Sequence, residues 1–367
     1  MTTRQFRPDY SEPPGAYLEE VLETRGIRKS EFAIRCGRPA KTISEIIAGK
    51  AAIMPDTALQ FERVLDIPAR VWLAMEASHQ LHAAQLRERE GLARDISWAD
   101  NFPFAEMVAK SFIPTARDAV GRVETLLNFF GVSSVAAWEE FWHHRVTAAR
   151  FKTSGHRDRN GYAISAWLRH GDAAAALIGC KPYDDAKFKA VLRKLRSLTR
   201  QSWPVYRDKL VGMLAEAGVA LALVPDLQNL GLRGAAYWAS KDKAVIILSD
   251  RLKEESRFWF ALFHEAMHIL LHSKKALFID FEKNDDRNGE EREADEHAAN
   301  ALIPAEDLAR FKKRYGSVKD SYSAAAIAAF AREIDIDPSL VLVRLQHEEL
   351  VSWGSRLTRE LRKPMRF

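Results

Sequence analysis

Apolar positions in residues 14–95 recur at three- and four-residue intervals, repeatedly broken by Gly and Pro, and this pattern predicts a run of short helices. In PGAYLEEVLETRG, Tyr17, Leu18, Val21 and Leu22 form one stripe and Gly26 ends the helix. SEFAIRCG follows, with Ser30 at or in its first turn, Phe32, Ala33 and Cys36 as its inner face, and Gly37 as its terminator. PAKTISEIIAGK turns Ile43, Ile46 and Ile47 inward and stops at Gly49, while Pro55 and Pro68 open two further helices. Two short helices joined by a tight turn and braced by others form the arrangement in which one helix can lie in a major groove of DNA.

Residues 96–215 also read as helical, with aromatics at helical spacing in VETLLNFFG and AAWEEFWHH and a polar loop, TSGHRDRNG, at 153–161. The pattern then changes. VGMLAEAGVALALVPDLQNLGLRGAAYWASKDKAVIILSD reads as helix, strand, loop and a strand pair, GAAYWAS with KAVIILS. An exposed edge of such a pair could align an extended peptide by backbone pairing. Two helices follow: RFWFALFHEAMHILLHSKK at 257–275, and GEEREADEHAANALIP, in which Ala294, Ala298, Ala299, Ala301 and Leu302 pack and Pro304 lies just beyond the end. The last pair, within AAAIAAFAREIDIDPSLVLVRLQHEELVSW, has an outward face bearing Glu333, Asp335 and Asp337, which assigns it to packing and not to DNA.

The chain has 367 residues, of which 47% are apolar and 29% charged, enough for two or three globular domains and incompatible with wholesale disorder, collagen or coiled coil. Its net charge of +5 is unevenly spread. Residues 1–95 sum to zero, 141–215 carry 15 basic against 5 acidic side chains, 281–350 sum to −6 and 351–367 to +4. The basic total is therefore no argument for DNA binding, because the segment that looks DNA-reading contributes none of it. The basic middle could contact nucleic acid, mate with the acidic segment near 282–296, or simply face solvent. Cys36 and Cys180 form no CxxC pair and no disulfide framework, as suits a reducing compartment. The longest apolar run, AVIIL at 244–248, is strand length, and MTTRQFRPDYSEPPG lacks the apolar core of a secretory signal. A soluble cytoplasmic protein with no membrane partner is expected.

Two stretches carry chemistry. On the second of the paired helices, Arg38, Lys41, Thr42, Ser44 and Glu45 face outward as a base-reading set, flanked by Lys29 and Lys50 for phosphates. In the 257–275 helix, His264 and His268 are four apart, share one face and can ligate one Zn2+ ion. Glu265 beside them can serve as general base, the ion supplying acidity to water and polarising a carbonyl. His272 lies a further turn along, where three successive turns cannot easily converge on one ion. A third ligand is expected in the following helix, where Glu290, Glu293, Asp295, Glu296 and His297 compete on spacing. Adjacent His143 and His144 point in different directions on a helix and read as surface or capping residues.

These stretches resemble known families. LETRGIRKSEFAIRCGRPAKTISEIIAGK, with its continuation to SHQL, is similar to the Xre-type helix-turn-helix of HigA-like antitoxins. That resemblance implies a lambda-repressor-like bundle that forms a homodimer on double-stranded operator DNA, and in antitoxins a toxin partner. HEAMHILLH followed by EREADEHAANALIP resembles the ImmA/IrrE metallopeptidases. There the resemblance implies His264 and His268 as zinc histidines, Glu265 as general base and Glu293 as third ligand, with His272 in support. Asp295 would orient a ligand histidine. His297 stands where the family commonly has an aromatic and, like Tyr237, would serve as second-shell or transition-state support. The implied organisation is multidomain and mainly α: a helix-turn-helix domain at 1–95, a basic helical middle at 96–204, an α+β zincin-like peptidase domain with a small sheet at 205–355, and a basic tail at 356–367. The implied function is a transcriptional regulator whose peptidase domain cleaves a repressor or other regulatory protein. The alternative is an antitoxin or autorepressor whose zinc domain is structural or sensory.

Overall fold

A computed structural model of the chain describes residues 12–152, 160–228, 230–281 and 289–365, divided into two units, Met1–Ile96 and Ser97–Phe367. The predicted loop at 153–161 falls almost wholly outside the described residues. In the first unit, α1 (Pro14–Thr24), α2 (Lys29–Cys36), α3 (Ala40–Ile47), α4 (Pro55–Leu65) and α5 (Ala69–Leu92) form where Gly and Pro punctuate the sequence. Gly37 ends α2 at φ 63°, a left-handed conformation that glycine adopts without strain. Leu18, Phe32, Ile43, Phe61 and Trp72 close the core, with Phe32 and Trp72 both packed on the Phe61 ring. Ser30 lies within α2 and the helix starts after Arg28, so no side chain caps it. Burial pushes the Cys36 thiol up to about 11, and it sits in this core as an inert apolar group.

The second unit begins with α6 (Ile96–Ala99), α7 (Phe104–Ala109), α8 (Ala119–Phe130) and α9 (Val135–Trp138). A π-helical turn, Glu139–His143, leads into α10 (His144–Lys152), α11 (Gly161–Ala176), α12 (Asp185–Leu198) and α13 (Trp203–Glu216). Next come β1 (Val219–Val224), β2 (Leu232–Ser240), β3 (Lys243–Ser249) and α14 (Glu255–Leu271). After β4 (Phe278–Phe281), helices α15 (Gly289–Leu302), α16 (Ala305–Tyr315), α17 (Ala324–Glu333), α18 (Pro338–His347) and α19 (Arg356–Leu361) complete the chain. The architecture is mainly helical around one small mixed sheet of order β1-β3-β2-β4, with β1 parallel to β3 and the other pairs antiparallel.

Strand alternation splits the sheet residues between two faces. Ala236, Ala244, Ile246 and Leu248 share a core with Phe258, Leu262 and Phe263 of α14, while Ile247 faces α11. A Cβ at Gly171 of α11 would lie 2.2 Å from Ile247 Cδ1, so this glycine sets how closely helix and sheet approach. The run Ala163–Leu168 is buried throughout, as a helix wedged between layers must be. This corrects the expected boundary at 204. The middle helices are not a separate module, because α11 covers the sheet face opposite α14 and buries apolar surface that would otherwise meet water. Polar latches add to it: Gln228 N donates to Glu106 at 2.8 Å, and Asn160 donates to Gln228 at 3.0 Å.

The charge expectations are also sharpened. Arg200 pairs with Asp335 at 2.6 Å and Arg196 with Asp307 at 3.9 Å, so among the described residues the basic middle reaches acids of the C-terminal helices and not the 289–296 stretch. The expected basic tail is packed: Leu357 and Met365 are buried, Glu254 bridges to Pro364, and Lys363 Nζ donates to the carbonyls of Thr199 and Gln201. No described helix is long and apolar enough to cross a membrane.

Candidate metal centre

The apolar cover of α14 forces its few polar side chains inward, and it is these that form the centre. His264, Glu265 and His268 are 1%, 0% and 1% exposed. The Nε2 atoms of His264 and His268 face each other at 3.0 Å, as the four-residue spacing requires of two ligands on one helix face. The third group is Glu291. Its Oε2 lies 3.3 Å from His264 Nε2 and its Oε1 3.5 Å from His268 Nε2, and the residue is buried. His264, His268 and Glu291 thus place one donor atom each within ligand-sharing distance.

Glu293 does not enter this group. Its side chain is 53% exposed and its Oε2 lies 3.3 Å from His272 Nε2. The reason is helical phase: Glu291, Ala294, Ala298 and Leu302 make up the buried stripe of α15, and Glu293 falls two residues off it. The same stripe was present in the sequence and points to Glu291, which the motif-based reading passed over.

Each histidine is held from behind. His264 Nδ1 meets Asp295 Oδ1 at 3.0 Å, the orienting contact expected of Asp295. His268 Nδ1 meets His272 Nδ1 at 2.8 Å, and His272 passes the contact to Glu293. These contacts admit one consistent set of tautomers. If both Nε2 lone pairs point at an ion, His264 donates from Nδ1 to Asp295, His268 donates from Nδ1 to His272, and His272 donates from Nε2 to Glu293. Phe278 of β4 stacks on the His268 ring at 4.1 Å and further fixes its plane.

Glu265 is different. Both of its carboxylate oxygens are buried without a hydrogen-bond partner. Burial lifts its pKa well above the ordinary carboxylate value, and the neighbouring Asp280 and Glu291 add to the shift. Burial works against ionised Glu291 as well, but hydrogen bonds from the two histidines outweigh it and hold that carboxyl well below its usual range. Burial shifts His268 downward, toward the neutral ring a metal needs. Two imidazoles, a deprotonated carboxylate and an orphaned glutamate suit a divalent cation with an open position, so the residues present fit zinc.

Two positions on β2 shape this pocket from outside the motif. A Cβ at Gly234 would sit 2.4 Å from Glu265 Oε1, so only glycine leaves room for the glutamate. Gly234→Ala should cost about 1–3 kcal/mol of stability or displace Glu265, and thermal denaturation with a parallel cleavage assay will read both. Arg233 is the extra residue of a bulge, where pairing with β4 shifts between Leu232 and Gly234. Bulges re-aim side chains. Here the guanidinium binds Asp280 at 2.6 Å while feeling the charges of Glu265 and Glu291, and its Nε is buried without a partner.

Tyr237 lies elsewhere. Its hydroxyl donates to Asp172 of α11 and its ring lies under Arg145, on the face of β2 turned away from α14. Odd-numbered positions beyond the bulge face α11, so the role expected of Tyr237 at the centre is not open to it. His297 is exposed and off the buried stripe. His143 stacks near Trp138 and Tyr162 and His144 is exposed, consistent with the packing and surface roles expected of them. The expected exposed edge of β2 is occupied, because the short segment Phe278–Phe281 pairs along it.

In the first unit, Lys41, Ser44 and Lys50 are exposed and Arg38, Thr42 and Glu45 are half-buried. Arg38 donates to Gln60 at 2.6 Å, Ser44 donates to the Ala40 carbonyl at 3.0 Å, Lys41 lies 3.8 Å from Glu45, and Lys29 pairs with Glu19.

Comparison with solved structures finds similarity in chains described as a plasmid-maintenance antidote protein from Nostoc punctiforme (26% identity, covering 23% of this chain and 92% of that one, TM-score 0.23). A HigA-family addiction-module antidote protein from Coxiella burnetii is also similar (21% identity, 24% and 96% covered, TM-score 0.22). No curated protein matches the chain. Residues 223–344, about a third of the chain, match the family model of the IrrE N-terminal-like domain, and that stretch contains the whole His264, Glu265, His268 and Glu291 constellation.

Proposed function

We propose that this chain is a cytoplasmic transcriptional regulator that joins an operator-binding head to a zinc-dependent endopeptidase and cleaves a regulatory protein. The observation that carries the enzymatic half is the unpartnered, buried Glu265 carboxylate beside His264, His268 and Glu291. A purely structural zinc site has no use for such a group, which costs stability where it stands. The bound ion would supply Lewis acidity to water and to the scissile carbonyl. Glu265 takes the proton of the attacking water and returns it to the leaving amine, and its raised pKa suits that exchange near neutral pH. His264, His268 and Glu291 hold the ion, while Asp295 and the His272–Glu293 pair keep the two rings in the ligating tautomer.

For the test, purified full-length protein is incubated with repressor proteins encoded beside its gene, with and without 1,10-phenanthroline. Fragments are expected only without chelator and should return on adding zinc. Unchanged fragments in chelator would rule out the metal mechanism. The deep burial of all four side chains favours a second reading, an autorepressor or antitoxin whose metal domain is structural or sensory. It predicts that chelation alters DNA binding or stability and no protein is cut.

For the head, a homodimer on an operator is the expected species, with Lys41 and Ser44 the most exposed of the base-reading candidates. Lys41→Ala should weaken binding to the DNA upstream of its own gene by about 1–3 kcal/mol if it reads a base. Gel shift against that fragment and a scrambled duplex checks this, since loss on both alike would mark Lys41 as a phosphate contact.

A further inference from the structure

A groove of about 950 Å³ runs alongside the metal centre, walled by α14, α15 and α18. At its inner end lie Arg233 and Asp295, the residues that touch Asp280 and His264, so the groove opens onto the centre's own supporting shell. Its floor is apolar, with Phe260, Leu302, Ile303, Leu340 and Val343, and Trp353 stands 56% exposed at its side. Its charged lining is unbalanced: six arginines against four carboxylates.

The carboxylates are largely engaged. Glu254 pairs with Arg362 at 3.0 Å, Glu348 with Lys312 and Arg344, and Asp295 with His264. Arg292, one residue beyond Glu291, is exposed and has no ion-pair partner among the described residues. The Nε atoms of Arg233 and Arg344 are buried and unpartnered. The groove therefore offers apolar depth plus uncompensated positive charge, a combination complementary to a segment that pairs bulky apolar side chains with carboxylates.

From this we infer that the groove holds the substrate polypeptide beside the scissile bond and selects an acidic-apolar segment, with Arg292 binding a substrate carboxylate. The inference rests on the peptidase reading above and narrows it to a substrate class. An unbranched polyanion such as DNA fits less well, since it would leave the apolar floor and Trp353 without partners.

The test uses full-length, zinc-loaded Glu265→Gln protein, so that bound peptide is not consumed. Three fluorescein-labelled dodecapeptides with a Leu-Phe centre, flanked by Glu, Ser or Lys, are titrated by anisotropy. The Glu-flanked peptide should bind at least about tenfold more tightly than the Lys-flanked one. Arg292→Glu, at an exposed position, should abolish or reverse that preference with the thermal unfolding transition unchanged, and Val343→Glu should weaken all three. Equal affinities, or a preference that survives Arg292→Glu, would overturn the inference, as would Arg292-dependent binding of a DNA duplex without peptide binding. The wild-type protein separates the two levels. Glu-flanked peptide that binds through Arg292 but is never cut sinks the peptidase reading and leaves the groove, whereas cutting with no flank preference sinks the groove alone.

Discussion

Glu265→Gln is expected to retain zinc, fold normally and lose cleavage by a factor of about 100 to 10,000, the range a positioned general base supplies. The substitution is nearly isosteric, and the site has no hydrogen bond to lose because neither carboxylate oxygen has a partner. Removing a charge that burial already disfavours should, if anything, raise the unfolding temperature. The separation of effects is the informative part. Metal content by atomic emission and the thermal transition should match the wild type or exceed it, while cleavage of the same repressor falls away. A variant that still cuts at the wild-type rate would remove Glu265 from the mechanism. A variant that loses its metal would instead place Glu265 among the ligands, a role its position in the cluster with His264 and Asp280 would then have to explain.

What could be read in the sequence was what depends on neighbours along the chain. His264 and His268 were legible because four residues is one helical turn, and the helices of the first unit because Gly37, Pro55 and Pro68 act locally. The sheet was half legible. β2 and β3 show in their apolar runs, but β4 is four residues long and carries no periodicity of its own. Arg233 and Gly234 were invisible for a stronger reason: their roles arise from a bulge and from packing against a helix some thirty positions away, and neither leaves a local signature. Tyr237 was misplaced because the side of a strand cannot be assigned until its register is known. The covering of the sheet by α11 had a visible sign, the unbroken small and apolar run at 163–168, which reads as a helix buried on every side. Glu291 is the instructive miss. The motif frame drew attention to the residue before Ala294-Asp295, whereas the buried alanine spacing of the same helix picks out the glutamate two positions earlier.

That difference makes the sharpest metal prediction. Glu291→Ala should reduce zinc affinity by about 100-fold or more, because it removes a carboxylate facing both Nε2 atoms and leaves two buried imidazoles to hold the ion alone. Glu293→Ala should cost about tenfold, the lower end of what an outer partner of a ligating histidine contributes, since it only frees the far nitrogen of His272. His272→Ala should fall between, because it strips His268 of the acceptor that fixes its tautomer. Competition titration against a chromophoric chelator measures all three on one scale, at a pH where wild-type loading is complete. The order Glu291, His272, Glu293 follows from distance to the ion along a single chain of contacts. The reverse order, with Glu293→Ala the most damaging, would mean that α15 rotates by about two residues when metal binds, and crosslinking of Glu291 and Glu293 positions to α14 would then show Glu293 facing inward.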